Sequence, residues 1–154
     1  MNNGEKKSLR ENMLSILIDT NVAVDFIVRR MPFYEESAKV IETASLKIFN
    51  AYISASCVTD IYYIARRELK ERELTLELLK NFLTIVKVAA VSEKEIRNAL
   101  ESSWSDFEDS VQYSVALSND IDYIITRNVK DFSDSEIHVM TPEDFCKMLL
   151  EEEE

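Results

Sequence analysis

The stretch that most constrains this chain is Leu14-Ser15-Ile16-Leu17-Ile18-Asp19-Thr20-Asn21. A short apolar run ends abruptly in an acid, a hydroxyl and an amide. Runs of this length bounded by polar residues form buried strands. A buried strand ending in a carboxylate sets that charge at a sheet edge, where open α/β sheets hold their ligands. An unpaired carboxylate there is costly, so Asp19 requires a cationic partner.

The pattern that follows alternates strands and helices. Thr20 is the expected cap of a helix carrying Val22, Phe26 and Ile27, with Asp25 on an outward position and Arg29 and Arg30 closing it. Pro32 breaks the pattern, and a second helix is expected from Phe33 to Ala44. Leu46 to Ser54 reads as a second strand, with Ser56 as cap of a helix to Leu69 that contains Asp60. Leu74 to Ile85 is amphipathic, Val86 to Val91 a third strand, and Ser92 to Ser102 another helix. Ser105-x-x-Glu108 has the form of a capping box before a helix that holds Asp106 and Asp109. Tyr123 to Thr126 and Ile137 to Met140 complete the strands, and Thr141-Pro142 opens a final helix. Such alternation predicts a three-layer α/β/α sandwich around a five-stranded, mainly parallel sheet.

The 154 residues suit one domain. Residues 1–12 read as a disordered leader or tag, 13–150 as the single domain and 151–154 as an acidic tail. Gly4 is the sole glycine, which argues against a Gly-rich phosphate loop and leaves Asn, Ser or Asp to end the helices. Cys57 and Cys146 have no zinc or redox spacing and are expected to pack as small apolar groups. No apolar run approaches the ~18 residues of a membrane span, and the expected location is cytoplasmic. His138 is the only histidine and lies in an expected strand, so neither triad chemistry nor a His-rich zinc site is expected, and it is expected to be structural. The net charge of −11 opposes a broad nucleic-acid surface and favours a divalent cation or a basic protein partner.

Strand ends and the helix starts that follow them share one edge of a parallel sheet. Asp19, Asp60 and Asn128 can therefore converge. Asp109 precedes a strand, so it joins them only if the two helices between strands three and four bring the chain back to that edge. Clustered carboxylates repel, and one protonates unless a cation intervenes. Mg²⁺ or Mn²⁺ fits an all-oxygen set and can activate water for phosphodiester hydrolysis. A third-strand acceptor acid, as in phosphoacceptor receiver domains, is absent after Val91, and Asp19-Thr20-Asn21 lacks the Asp-x-Asp of haloacid-dehalogenase-type phosphatases.

Four segments together, Ile16-Leu-Ile-Asp19-Thr-Asn21, Ser56-Cys-Val-Thr-Asp60, Asp106-Phe-Glu-Asp109-Ser-Val-Gln-Tyr-Ser-Val-Ala116 and Ile125-Thr-Arg-Asn128-Val-Lys-Asp131, resemble the PIN domain family from about Met13 to Met140. The resemblance implies a Mg²⁺- or Mn²⁺-dependent endoribonuclease, with Asp19, Asp60 and Asp109 as catalytic and metal-binding acids. Many small members are dimeric toxins of toxin–antitoxin pairs, so it also implies an RNA substrate, an antitoxin protein partner and a homodimer. The chain departs from the family in two places. Asp60 stands where Glu is common, and Asn128 stands at the fourth acidic position, where its carbonyl can meet a metal but brings no charge. Asn21, Asp106, Thr126 and Asp131 are supporting candidates, and Arg66, Arg127 and Lys130 candidates for an RNA-backbone rim. Trp104 is expected to anchor a loop rather than stack a base. The alternative reading is a PIN-like binding or regulatory module with little catalysis.

Overall fold

A computed structural model describes residues 13–153. Five parallel strands stand in the order β3-β2-β1-β4-β5: β1 Ser15–Ile18, β2 Asn50–Ser54, β3 Lys87–Ala89, β4 Tyr123–Ile125 and β5 His138–Met140. The helices are α1 Thr20–Ile27, α2 Tyr34–Ser45, α3 Ala55–Leu69, α4 Arg72–Ile85, α5 Glu93–Glu101, α6 Phe107–Ser118 and α7 Pro142–Glu152, with a 3₁₀ turn at Val129–Phe132. The expected architecture is present, and the sheet is wholly parallel among the described residues.

The alternation of strand side chains divides the core. Ile16, Ile18, Ile53 and Ile125 pack with residues of α1, α2, α3, α4 and α7, such as Val22, Ile41, Ile61, Phe82 and Phe145. Leu17 and Ile124 face the opposite side and pack with Ala116 of α6 and with Phe132. Ala99 of α5 packs there against Val111 and Val115. The three layers are thus unequal, five helices against two. β1 lies at the centre, paired with β2 and β4, and Ile16, Leu17 and Ile18 are fully buried. At ~25 cal/mol per Å² of apolar surface, a fully buried Ile or Leu contributes roughly 1.5–3 kcal/mol, so the strand carrying Asp19 is well anchored.

Several helix starts fall one or two residues from the expected caps. Asp19, not Thr20, caps α1, accepting from the Thr20 N–H at 2.7 Å. Ser54, not Ser56, caps α3, and Asp106, not Ser105, caps α6 by accepting from the Asp109 N–H at 2.9 Å. The second strand is shorter than expected: Lys47 takes φ 60° in a turn, and pairing with β1 starts at Asn50. Left-handed positions are filled by Arg29, Lys47, Lys70 and Asp120, of which Asp120 alone is of an expected type, while Ser102 and Asn119 end α5 and α6 as expected. Trp104 stacks on Tyr113 at 4.8 Å between ring centroids, the expected loop anchor. No described helix is long and apolar enough to cross a membrane.

A candidate acidic metal cleft

Asp19 sits at the carboxyl end of β1, where its backbone N–H donates to the Ile125 carbonyl at 2.9 Å. Only 7% of the residue is exposed. Thr126 Oγ1 donates to Asp19 Oδ2 at 2.7 Å, and Gln112 Nε2 donates to Oδ1 at 2.9 Å. With the Thr20 N–H, three donors fix the rotamer of the carboxylate. Thr126 also accepts from the Asn128 N–H at 3.1 Å, so one hydroxyl ties Asp19 to the loop after β4.

The cleft in front of Asp19 encloses about 490 Å³. Asp19, Asn21, Asp60, Asp106, Asp109, Asn128 and Asp131 all line it, together with Glu108, Gln112 and Arg30. Asp109 therefore reaches the same edge as Asp19. Residues 102–106 carry the chain from α5 back to that edge, and α6 starts there. Asp60 lies in the second turn of α3, and Asp131 in the exposed 3₁₀ turn.

Six carboxylates face this cleft with one guanidinium, Arg30, which is already paired to Glu68 at 2.7 Å. The protonation of the acids records the crowding. Burial, then the charges of Asp106, Asp19 and Asp131, push the Asp109 carboxyl up to about 7. A hydrogen bond with Asp60, burial and the surrounding acids push Glu108 up to about 7 as well.

The donor set is all oxygen, the chemistry that a hard divalent cation takes. Among the described residues no three Asp, Glu, His or Cys side chains close on a single point. That arrangement suits a cation held by one or two carboxylates, with water filling the remaining positions, as is common for Mg²⁺.

Glu108 and Gln112 had no place in the sequence-derived set. Their signal is spacing: 108, 109 and 112 fall three and four apart on a helix, so three polar residues share one face of α6. Asp25 is not an outward surface acid. It is completely buried, 2.7 Å from Arg127 Nε and 3.6 Å from Arg30 Nη1. Burial pushes its carboxyl up against the pull of Arg127 and Arg30. Arg127, a candidate for the RNA rim, is instead turned to Asp25, and its guanidinium lies 4.0 Å over the Phe33 ring centroid. Its backbone N–H donates to Asn21 Oδ1 at 3.5 Å. Arg66 is half-buried on α3 and Lys130 exposed; neither lines the cleft. Cys57 is buried as expected, its thiol pushed up to about 11 chiefly by burial.

A wholly parallel sheet of order 3-2-1-4-5 with an acid-lined cleft at its carboxyl edge defines an α/β protein with an acidic site where such sheets hold their ligands. The model of the PIN domain matches residues 15–130, and the chain belongs to the PIN domain family. The chain is 26% identical over 141 residues to ribonuclease VapC1 of Aquifex aeolicus (strain VF5), covering 88% of this chain and 96% of that protein. Its fold is similar to VapBC2 from Rickettsia felis bound to a promoter DNA fragment (TM-score 0.65, 17% identity, 83% of this chain and 98% of that one). It is also similar to Mycobacterium tuberculosis VapC20, a sarcin-ricin loop cleaving toxin (TM-score 0.58, 12% identity, 71% and 86%).

Proposed function

We propose that the chain is an endoribonuclease that hydrolyses RNA phosphodiester bonds with Mg²⁺ or Mn²⁺ in the acidic cleft, and that it is the toxin of a toxin–antitoxin pair. The observation that carries this reading is the set of six carboxylates, Asp19 among them, that line one cleft, where burial and mutual crowding raise the carboxyls of Glu108 and Asp109. The relatives support the substrate: one is named a ribonuclease and one a sarcin-ricin loop cleaving toxin. Solved neighbours include a toxin-antitoxin complex from Klebsiella pneumoniae, similar at a TM-score of 0.61 and 20% identity.

Asp19, locked by Thr126, Gln112 and the α1 N-terminus, is the fixed ligand. Asp60 and Asp109 approach from α3 and α6, and the Asn128 carbonyl supplies a neutral oxygen from the loop after β4. A divalent cation held by these residues would lower the pKa of a water molecule and offset the charge that develops on phosphate. The carboxyls of Asp109 and Glu108 are raised to about 7, so a cation held there would displace their protons and its affinity would rise with pH. On this reading the working form is a cytoplasmic homodimer, and a basic segment of the antitoxin complements the charge of −11.

The test is cleavage of structured RNA with Mn²⁺ by the wild type, Asp19→Asn and Asp109→Asn. Each substitution is expected to lower the rate at least 100-fold, and EDTA to abolish it. Cleavage unchanged by both substitutions overturns the reading. Mn²⁺ binding that Asp60→Ala abolishes, with no RNA cleaved by the wild type, favours a binding or regulatory module.

A further inference from the structure

Beside the acidic cleft lies a second pocket of about 470 Å³, walled by Phe33, Glu36, Ser37, Arg127, Asn128 and Glu143 among others. Asn128 lines both. A strand of nucleic acid that sets a phosphate against the acids therefore meets this pocket with an adjoining nucleoside. We propose that the pocket is a nucleobase subsite that takes the base flanking the scissile phosphate and prefers bases carrying an exocyclic amine over uracil. The proposal rests on the ribonuclease reading and deepens it.

Three observations carry it. The first is an aromatic–guanidinium pair. The Arg127 guanidinium lies 4.0 Å over the ring of Phe33, a residue 39% exposed, and Arg127 Nε lies 2.7 Å from Asp25 Oδ2. Aromatic rings and guanidinium planes are what unstacked RNA bases settle on. The second is Ser37. It is 1% exposed, lies in the pocket wall, and its Oγ has no hydrogen-bond partner among the described residues. A buried hydroxyl without a partner is costly, and a base edge supplies both donors and acceptors.

The third is charge. Glu36 and Glu143 line the pocket, paired with Lys39 at 2.9 Å and Lys147 at 3.1 Å. Arg127 is neutralised by Asp25. The pocket thus offers no free cation for a phosphate. Each carboxylate keeps acceptor sites beyond its lysine. Those acceptors match the exocyclic amines of adenine, cytosine and guanine, whereas uracil has no exocyclic amine and offers one ring N–H flanked by two carbonyls that a carboxylate repels.

The experiment maps cleavage sites and measures KM and kcat with Mn²⁺ on a random-sequence RNA pool and on defined oligoribonucleotides. The full chain is compared with Phe33→Leu, Phe33→Tyr and Ser37→Ala. Wild-type sites are expected to exclude uracil at one fixed position next to the cut. Phe33→Leu keeps an apolar side chain but no π face. It is expected to raise KM roughly 5- to 100-fold, as loss of one base stack does, with a smaller change in kcat. Phe33→Tyr restores KM, and Ser37→Ala relaxes the base preference. Circular dichroism confirms the fold of each variant. If the wild type cleaves RNA but shows no base preference beside the cut, or if Phe33→Leu and Ser37→Ala leave KM and preference unchanged, the subsite is overturned while the ribonuclease reading stands. If the wild type cleaves no RNA, that reading fails and the subsite falls with it.

Discussion

Asp109→Asn separates the cleft's role in stability from its role in function. Without a cation, the carboxyl of Asp109 rises from 3.8 to about 7. A folded value above the unfolded one means that the native state holds a proton the unfolded chain has released between about pH 4 and pH 7. Stability from this group is therefore present at low pH and is lost as pH rises to about 7. At ~1.36 kcal/mol per pH unit the ceiling is about 4 kcal/mol. Asp109 is only half-buried, so solvent screening brings the expected effect down to about 1–2 kcal/mol. The asparagine carries no charge, so in EDTA the variant is expected to be more stable than the wild type at pH 8 by that amount and nearly equal at pH 4. Urea unfolding at both pH values measures it, and the difference between the two proteins cancels the titration of other groups. Saturating Mn²⁺ is expected to stabilise the wild type more than the variant, since a ligand stabilises by its affinity for the native state. Equal stability at pH 8 in EDTA, with the same dependence on pH, would refute the reasoning.

Two further substitutions probe the scaffold. Thr126→Val removes a hydroxyl that donates to a buried carboxylate, and urea unfolding is expected to show a loss of about 1.5–3 kcal/mol together with weaker Mn²⁺ binding by calorimetry. Asp25→Ala strips the buried partner from Arg127 and is expected to cost about 3–5 kcal/mol in the same unfolding assay; a loss below about 1 kcal/mol would show that Arg127 finds solvent instead.

The order of elements and the meeting of Asp19, Asp60 and Asn128 at one edge were legible because parallel topology dictates them once strands and helices alternate. The position of Asp109 was not fixed by that rule, because two helices separate β3 from β4 and either edge was open to it. The cap shifts at Asp19, Ser54 and Asp106 have a local cause: adjacent polar residues compete for the same orphan N–H groups, and the choice follows from strand packing. The burial of Asp25 depends on Arg127, 102 residues away, and a lone acid on a helix shows no sign of such a partner. Glu108 was hidden by a motif. It fits a capping box with Ser105, yet Asp106 caps the helix, which leaves the glutamate free to face Asp60.

The net charge of −11, read from the sequence as an objection to RNA, acquires a location in the structure. Arg30, which lines the cleft, and Arg127, which lines the adjoining pocket, are committed to Asp25 and Glu68, so neither is free to offset the cleft acids. With its acids ionised, such a cleft repels a phosphate at ~4 Å by about 1 kcal/mol per charge even in bulk water, and by more where solvent is excluded. On the proposed reading, the phosphate can enter only after a divalent cation has reversed that sign. Binding of cation and RNA is then obligatorily coupled, with the cation first. The carboxyls at Asp109 and Glu108 set the threshold, because their protons must leave before the cation is fully held. On the proposed reading, the acidity of the chain would keep its cleft closed to nucleic acid until metal is bound.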